Sequence, residues 1–235
     1  MFASILLFGN SFTARQAELP AALTGAWLST GQTGEQVLIF VDGYVTHTSY
    51  SFDRKQFIAT RGGTCEATGD KLNINFEFST PNKDEVGTKA SYPYSIKNGV
   101  LTTGMGGNST TWARLDEGKG ALAGNWQITG RVQNGKMNEM RPGARKTIKI
   151  LSGTRFQWAA INTETKEFSG TGGGKYTFAN GKYTEHIEFF SRDSSRVGAS
   201  LTFDGAVESG KWIHKGLSSR GEPIHEVWSR PSLAK

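Results

Sequence analysis

The second half of this chain repeats the first, and a repeat of this length has to be two copies of one fold. Leu23-Thr24-Gly25-Ala26-Trp27 returns as Leu122-Ala123-Gly124-Asn125-Trp126, and Lys55-Gln56-Phe57 with its Gly62-Gly63 returns as Lys166-Glu167-Phe168 with Gly172-Gly173-Gly174. Asp70-Lys71-Leu72 through Phe78 matches Gly181-Lys182-Tyr183 through Phe189, and Trp112-Ala113-Arg114 matches Trp228-Ser229-Arg230. The offset is 99 at the first Trp, 111 through the middle and 116 at the last, so copy two carries about 12 extra residues early, within Arg131 to Lys149, and about 5 late. A chain of 235 residues gives each copy near 100, enough for a core of its own. The expected division is a unit over 18–116, a linker over 117–120 and a second unit over 121–235.

Alternation supplies the strands. Tyr183, Glu185, Ile187 and Phe189 share one face of their segment while Lys182, Thr184, His186 and Glu188 share the other, and Lys71 to Phe78 divides the same way. Val37 to Phe40, Thr154 to Ala160, Ala199 to Phe203 and Lys211 to His214 read as further strands, separated by Asp42-Gly43, Asn98-Gly99, Asn180-Gly181 and Ser209-Gly210 turns. The 30 Gly and 14 Phe against 6 Pro, with few Ala/Leu/Glu/Lys runs, argue for an all-β chain with little helix. About eight sequential strands per copy form a meander, and closing it removes its edges. The fold expected is two tandem antiparallel up-and-down β-barrels.

Gly-x-Trp on the first strand and an Arg near the end of the last resemble the lipocalin pattern of the calycin superfamily, here Gly25, Trp27 and Arg114, then Gly124, Trp126 and Arg230. The resemblance implies that each Trp packs across the closed end of a barrel with the Arg laid over it, a structural rather than a ligand-binding role. The units are shorter than usual for that family, and lack its disulfides and a Thr-Asp-Tyr motif. They are closer to compact lipocalin-like domains of secreted Bacteroidetes-type proteins.

Inside copy two, Phe156, Trp158, Tyr183, Glu185, Ile187, Phe189, Leu201 and Phe203 would line either a filled core or a cavity for an apolar or aromatic ligand. Copy one, with Ile74, Phe76, Phe78, Val45 and Tyr92, looks better able to fill itself. Glu185 stands where copy one has Ile74: it either faces the cavity with a neighbouring Arg, or sits at the rim in a register one residue off. His214 and His225 fall opposite each other if their hairpin turns at Ser219-Arg220, but no third metal ligand accompanies them. His47 reads as a core histidine, His186 as outward-facing and Cys65 as packed.

Neither a catalytic nucleophile motif nor a phosphate-cradling loop is present, and no cofactor or metal is implied. Glu185 with Tyr183 is the one acid–base pair a cavity enzyme could use. The charge of +6 divides as −3 over residues 18–118 and +8 over 119–235, with Arg15 supplying the remaining +1, and it is scattered enough to argue against nucleic acid. Met1 to Ala17 has the apolar core of a secretory signal, and no later segment is long and apolar enough to span a membrane. The expectation is a secreted or periplasmic protein, more a binder than an enzyme, for a small apolar or aromatic ligand, an anionic group being an option. The alternatives are a filled interaction module contacting a glycan, envelope component or protein, and a cavity enzyme using Glu185.

Overall fold

The computed structural model describes residues 19–218 and 220–231; the proposed signal segment 1–17 and Ser219 of the proposed turn lie outside them. Seventeen strands form two antiparallel barrels in tandem, with short 3-10 turns and no α-helix among the described residues. The first barrel runs β1 (Gly25–Gly31), β2 (Gly34–Val41), β3 (Tyr44–Ser51), β4 (Gln56–Thr68), β5 (Lys71–Ser79), β6 (Lys89–Lys97), β7 (Val100–Thr103) and β8 (Thr110–Asp116), and closes where β8 pairs with β1. The second runs β9 (Gly124–Gln133), β10 (Lys136–Glu139), β11 (Arg145–Leu151), β12 (Arg155–Asn162), β13 (Glu167–Ala179), β14 (Lys182–Phe190), β15 (Ser200–Glu208), β16 (Lys211–Leu217) and β17 (Pro223–Ser229). It closes where β17 pairs with β9, so β10 is an extra strand hung on β9 outside the eight staves.

Local chemistry sets the turns. Asp42-Gly43, Asn98-Gly99, Asn134-Gly135, Asn180-Gly181 and Ser209-Gly210 all hold two successive positive φ angles, the conformation a two-residue hairpin needs to match strand twist. One end of each barrel is shut alike. The Arg114 guanidinium lies 4.0 Å from the Trp27 ring centroid, and Arg230 lies 3.9 Å from that of Trp126. Each indole N–H donates to a carbonyl four residues back, Leu23 at 2.9 Å and Leu122 at 2.8 Å. Gly25 and Gly124 have φ of +121° and +134°, backbone that side-chain-bearing residues rarely adopt, and a Cβ on Gly25 would lie 2.1 Å from the Asp116 carbonyl oxygen, which is why the residue two before each Trp is glycine.

The two barrels share a core. Outward residues Val37, Ile39, Val41, Tyr44, Tyr50 and Phe78 of the first pack on Ile148, Ile150, Ala159, Ile161 and Phe189 of the second. At its centre the buried Gln157 amide donates to Thr60 and Thr171 hydroxyls at 2.9 and 3.1 Å and accepts from Thr48 at 2.8 Å. Lys146 pairs with Glu77 across the junction at 2.8 Å, and Tyr50 donates to Glu188 at 2.7 Å. The linker is clamped as well: Asp116 accepts from Gly118, Gly153 and Thr154 amides and from the Ser152 and Thr154 hydroxyls.

This shared core corrects one inward assignment in each copy. A β-bulge lies opposite Gly173/Gly174, so that Gly174 faces Ile187 while Gly173 faces Phe189. The extra residue shifts the alternation by one, turning Phe189 out to the first barrel and Phe190 in toward Trp158, 5.5 Å between ring centroids. The same bulge opposite Gly62/Gly63 turns Phe78 out of the first barrel. The extra residues are Glu188 and Glu77, and strict alternation read through them carries Phe189 and Phe78 to the wrong face.

Candidate functional site

The interiors of the two barrels differ. In the first, Trp27, Leu38, Phe40, Val45, Ile74, Phe76, Leu101 and Trp112 fill the space, and Met105, on the 3-10 turn Gly104–Gly106, is buried among them. In the second, a cavity of about 550 Å³ opens above the Trp-closed end. Its apolar wall includes Trp158, Ile187, Phe190, Leu201, Phe203 and Trp228. Phe156 and Tyr183 lie in the packed core with Trp126 and Trp212.

The cavity is bounded by charge as well. Lys149, Glu185, His214 and Glu226 all line it, at 4, 5, 2 and 6% exposure. Lys149 Nζ donates to Glu185 Oε1 at 2.8 Å and stands 5.1 to 5.2 Å from the ring centroids of Tyr183, Trp212 and Trp228, contacts that offset part of its desolvation. Glu226 accepts from Arg131 at 2.6 Å, from the Trp228 indole at 3.2 Å and from His214 Nδ1 at 3.4 Å. Burial alone would raise the Glu226 carboxyl, but the His214 hydrogen bond with the neighbouring Lys149 and Arg131 charges holds it down at about 2. Because that ionised carboxylate can only accept, His214 Nδ1 carries the proton. Burial, then the Lys149 ammonium, lowers the imidazole below its ordinary value, so the ring is neutral. Its Nε2 is buried and, among the described residues, has no partner. The Tyr183 phenol is pushed well up by burial and by the Glu185 charge, which suits it poorly to acid–base work with that carboxylate.

Register explains what the sequence reading missed. Lys149 pairs with Trp126 on β9 as Leu38 pairs with Trp27 on β1. His214 lies opposite Glu226 as Thr103 lies opposite Thr110, each two residues from the facing pair Trp212/Trp228 or Leu101/Trp112. Hence His214 and His225 are not opposite each other: His225 faces Lys215, one residue out of the expected register. Glu185 faces inward from the strand rather than sitting at a rim, and its partner is Lys149 instead of an arginine. Lys149, the last residue of the segment to which the sequence assigned the early insertion, belongs to β11, whose Ile148 and Ile150 face the other barrel while Lys149 faces the cavity. The alternation Thr147-Ile148-Lys149-Ile150 carried that signal. Among the described residues, no group of three His, Cys, Asp or Glu could hold a metal ion.

The extra residues of copy two shape the mouth. In the first barrel β1 and β2 pair without interruption from Gly25/Phe40 to Gly31/Gly34. In the second, β9 pairs with β11 only over Gly124–Gln127, and its outer half, Gly130–Gln133, takes β10 instead. Arg131, Val132 and Gln133 therefore face Thr147, Ser218, Glu222 and Pro223 around an open rim. Met137 and Met140 are exposed on the projecting hairpin.

No protein-family model and no curated protein matches the chain. Among solved structures it is similar to the uncharacterized protein YLR301w of Saccharomyces cerevisiae, at 11% identity and a TM-score of 0.42, over 86% of this chain and 94% of that one. Among the described residues no helix is long and apolar enough to cross a membrane.

Proposed function

We propose that the second barrel is a binding cavity for a small apolar or aromatic ligand, and that the first is its filled structural partner. One observation carries this reading. At four matched interior positions the first barrel has Leu38, Ile74, Thr103 and Thr110, whereas the second has Lys149, Glu185, His214 and Glu226 around a cavity of about 550 Å³. The first barrel closes with neutral side chains at those four positions, so the fold does not require charge there, and buried charge is costly to keep. A cavity of this size walled by indole and phenyl rings, with a few polar groups converging on it, suits a ligand of drug-like dimensions. The lipocalin-like Gly-x-Trp and Arg pattern agrees with such a role, and the apolar segment after Met1 supports a secreted or periplasmic location.

The test is native mass spectrometry on the full chain, purified gently after export, together with titration by the neutral dye N-phenyl-1-naphthylamine. A retained small mass lost on denaturation, or saturable dye binding abolished by Leu201→Trp, is expected. A bare mass and no dye uptake by the folded protein would overturn the reading. The full chain is required because the two barrels share a core.

A further inference from the structure

We infer that the cavity selects a ligand whose polar head is uncharged and both donates and accepts hydrogen bonds, as an alcohol, phenol or primary amide does, in preference to a carboxylate or an ammonium. The inference rests on the binding role proposed above and adds the chemistry of the head group. Charge balance is its first support. Lys149 is matched by Glu185 at 2.8 Å and Arg131 by Glu226 at 2.6 Å, Arg196 at the mouth is matched by Asp193 at 3.0 Å, and among the described lining residues only Glu222, exposed at the rim, stands without an ion-pair partner. An anion brought to this floor would meet Glu185 and Glu226, and a cation would meet Lys149, all three with little water to screen them, while Arg131 reaches Glu226 from the wetter rim.

The second support is where donors and acceptors remain. The rings nearest the floor, Tyr183, Trp212 and Trp228, already hold the Lys149 ammonium near 5 Å, which leaves a ligand cation only the Trp158, Phe190 and Phe203 rings higher on the wall. Both Glu226 oxygens are engaged, by Arg131 on Oε1 and by His214 and Trp228 on Oε2. Glu185 is bonded by Lys149 on Oε1, and among the described residues the only other donor close to its carboxylate is the buried Tyr183 phenol, which lies beyond regular hydrogen-bond geometry, so Oε2 keeps acceptor capacity in the cavity wall. Lys149 donates one hydrogen bond and carries three N–H groups. A hydroxyl can donate to Glu185 Oε2 and accept from Lys149 together, leaving the ion pair intact; a carboxylate offers no donor, and an ammonium offers no acceptor.

The experiment is a matched series on the full chain, read by quenching of tryptophan fluorescence and by calorimetry: 4-hydroxybiphenyl, biphenyl, biphenyl-4-carboxylate and 4-phenylbenzylammonium. The hydroxyl compound is expected to bind about tenfold or more tightly than any of the other three, the ratio one hydrogen bond to a charged group supplies. In the double variant Lys149→Leu with Glu185→Ile, 4-hydroxybiphenyl should fall to the affinity of biphenyl, while biphenyl binding persists and reports a folded cavity. If the carboxylate or the ammonium binds most tightly to the wild-type protein, the inference is overturned and the binding role stands. If the folded protein takes none of the four, the binding role falls and this inference with it.

Discussion

Replacing Lys149 by Leu and Glu185 by Ile gives the second barrel the side chains the first already carries at those positions, Leu38 and Ile74. Either replacement alone strands a charge in a site 4 to 5% exposed, and breaking such a pair from one side costs about 3–5 kcal/mol. Made together they remove both desolvation penalties and keep the volume, and exchanges of that kind range from neutral to about 4 kcal/mol stabilising. Equilibrium urea unfolding of the full chain, followed by tryptophan fluorescence, separates these outcomes. With an m-value of roughly 2 kcal/mol/M, each single variant should lower the midpoint by roughly 2 M, and the double variant should match or exceed wild type. A double variant as unstable as the sum of the singles would show that Lys149 and Glu185 hold the barrel together, and the argument that they are kept for ligand recognition would collapse.

Other consequences can be checked separately. His47 is held at about 3 by burial and then by Arg61, far below the value of an unfolded chain, so the unfolded state binds the extra proton. Stability from this source is complete above about pH 6.5 and is lost as pH falls toward 3, at about 1.4 kcal/mol per unit, and His47→Gln should flatten that slope in acid titrations. The Glu226 carboxyl, held at about 2, acts lower, its contribution being present above about pH 4.5 and lost as pH falls through 2. Glu226→Gln should therefore narrow its stability gap from wild type between pH 5 and 2, and a constant gap would refute the assignment. Gln157→Leu leaves the Thr48, Thr60 and Thr171 hydroxyls without their shared partner in a buried site, and a loss of about 2–3 kcal/mol in unfolding free energy, read from denaturant midpoint and m-value, is expected.

The paired barrels and their strand order were legible in the sequence because duplication doubles every weak signal. A single Gly-x-Trp or Asn-Gly means little, but two sets in the same order at matching spacing fix two hairpin meanders, and the Trp27–Arg114 and Trp126–Arg230 stacks lie where the repeat puts them. Site details were harder to read because they depend on phase. Glu188 adds one residue at a bulge and reverses Phe189, and a hairpin register shifted by one puts Glu226 opposite His214 in place of His225. Lys149 was hidden by charge, since a lysine beside Arg145 and Lys146 looks like surface until the isoleucines on either side are seen to face a second barrel.

Those isoleucines also explain where the two copies were free to diverge. Outward faces of β2 to β5 and of β11 to β14 are committed to the shared core, so a change there must be matched across the junction. Inward faces carry no such obligation, and Leu38/Lys149 and Ile74/Glu185 differ there while their strands keep the same partners. The extra residues of copy two fall on β9–β10, where the rim lies clear of the other barrel. If the shared core is what lets a hollow, charge-bearing barrel stand, residues 121–235 alone should expose Ile148, Ile150, Ala159, Ile161 and Phe189 and associate or aggregate on expression. A monomeric, folded fragment with a cooperative unfolding transition in size-exclusion and denaturation experiments would show instead that the second barrel supports its own cavity, and that the first is kept for another reason.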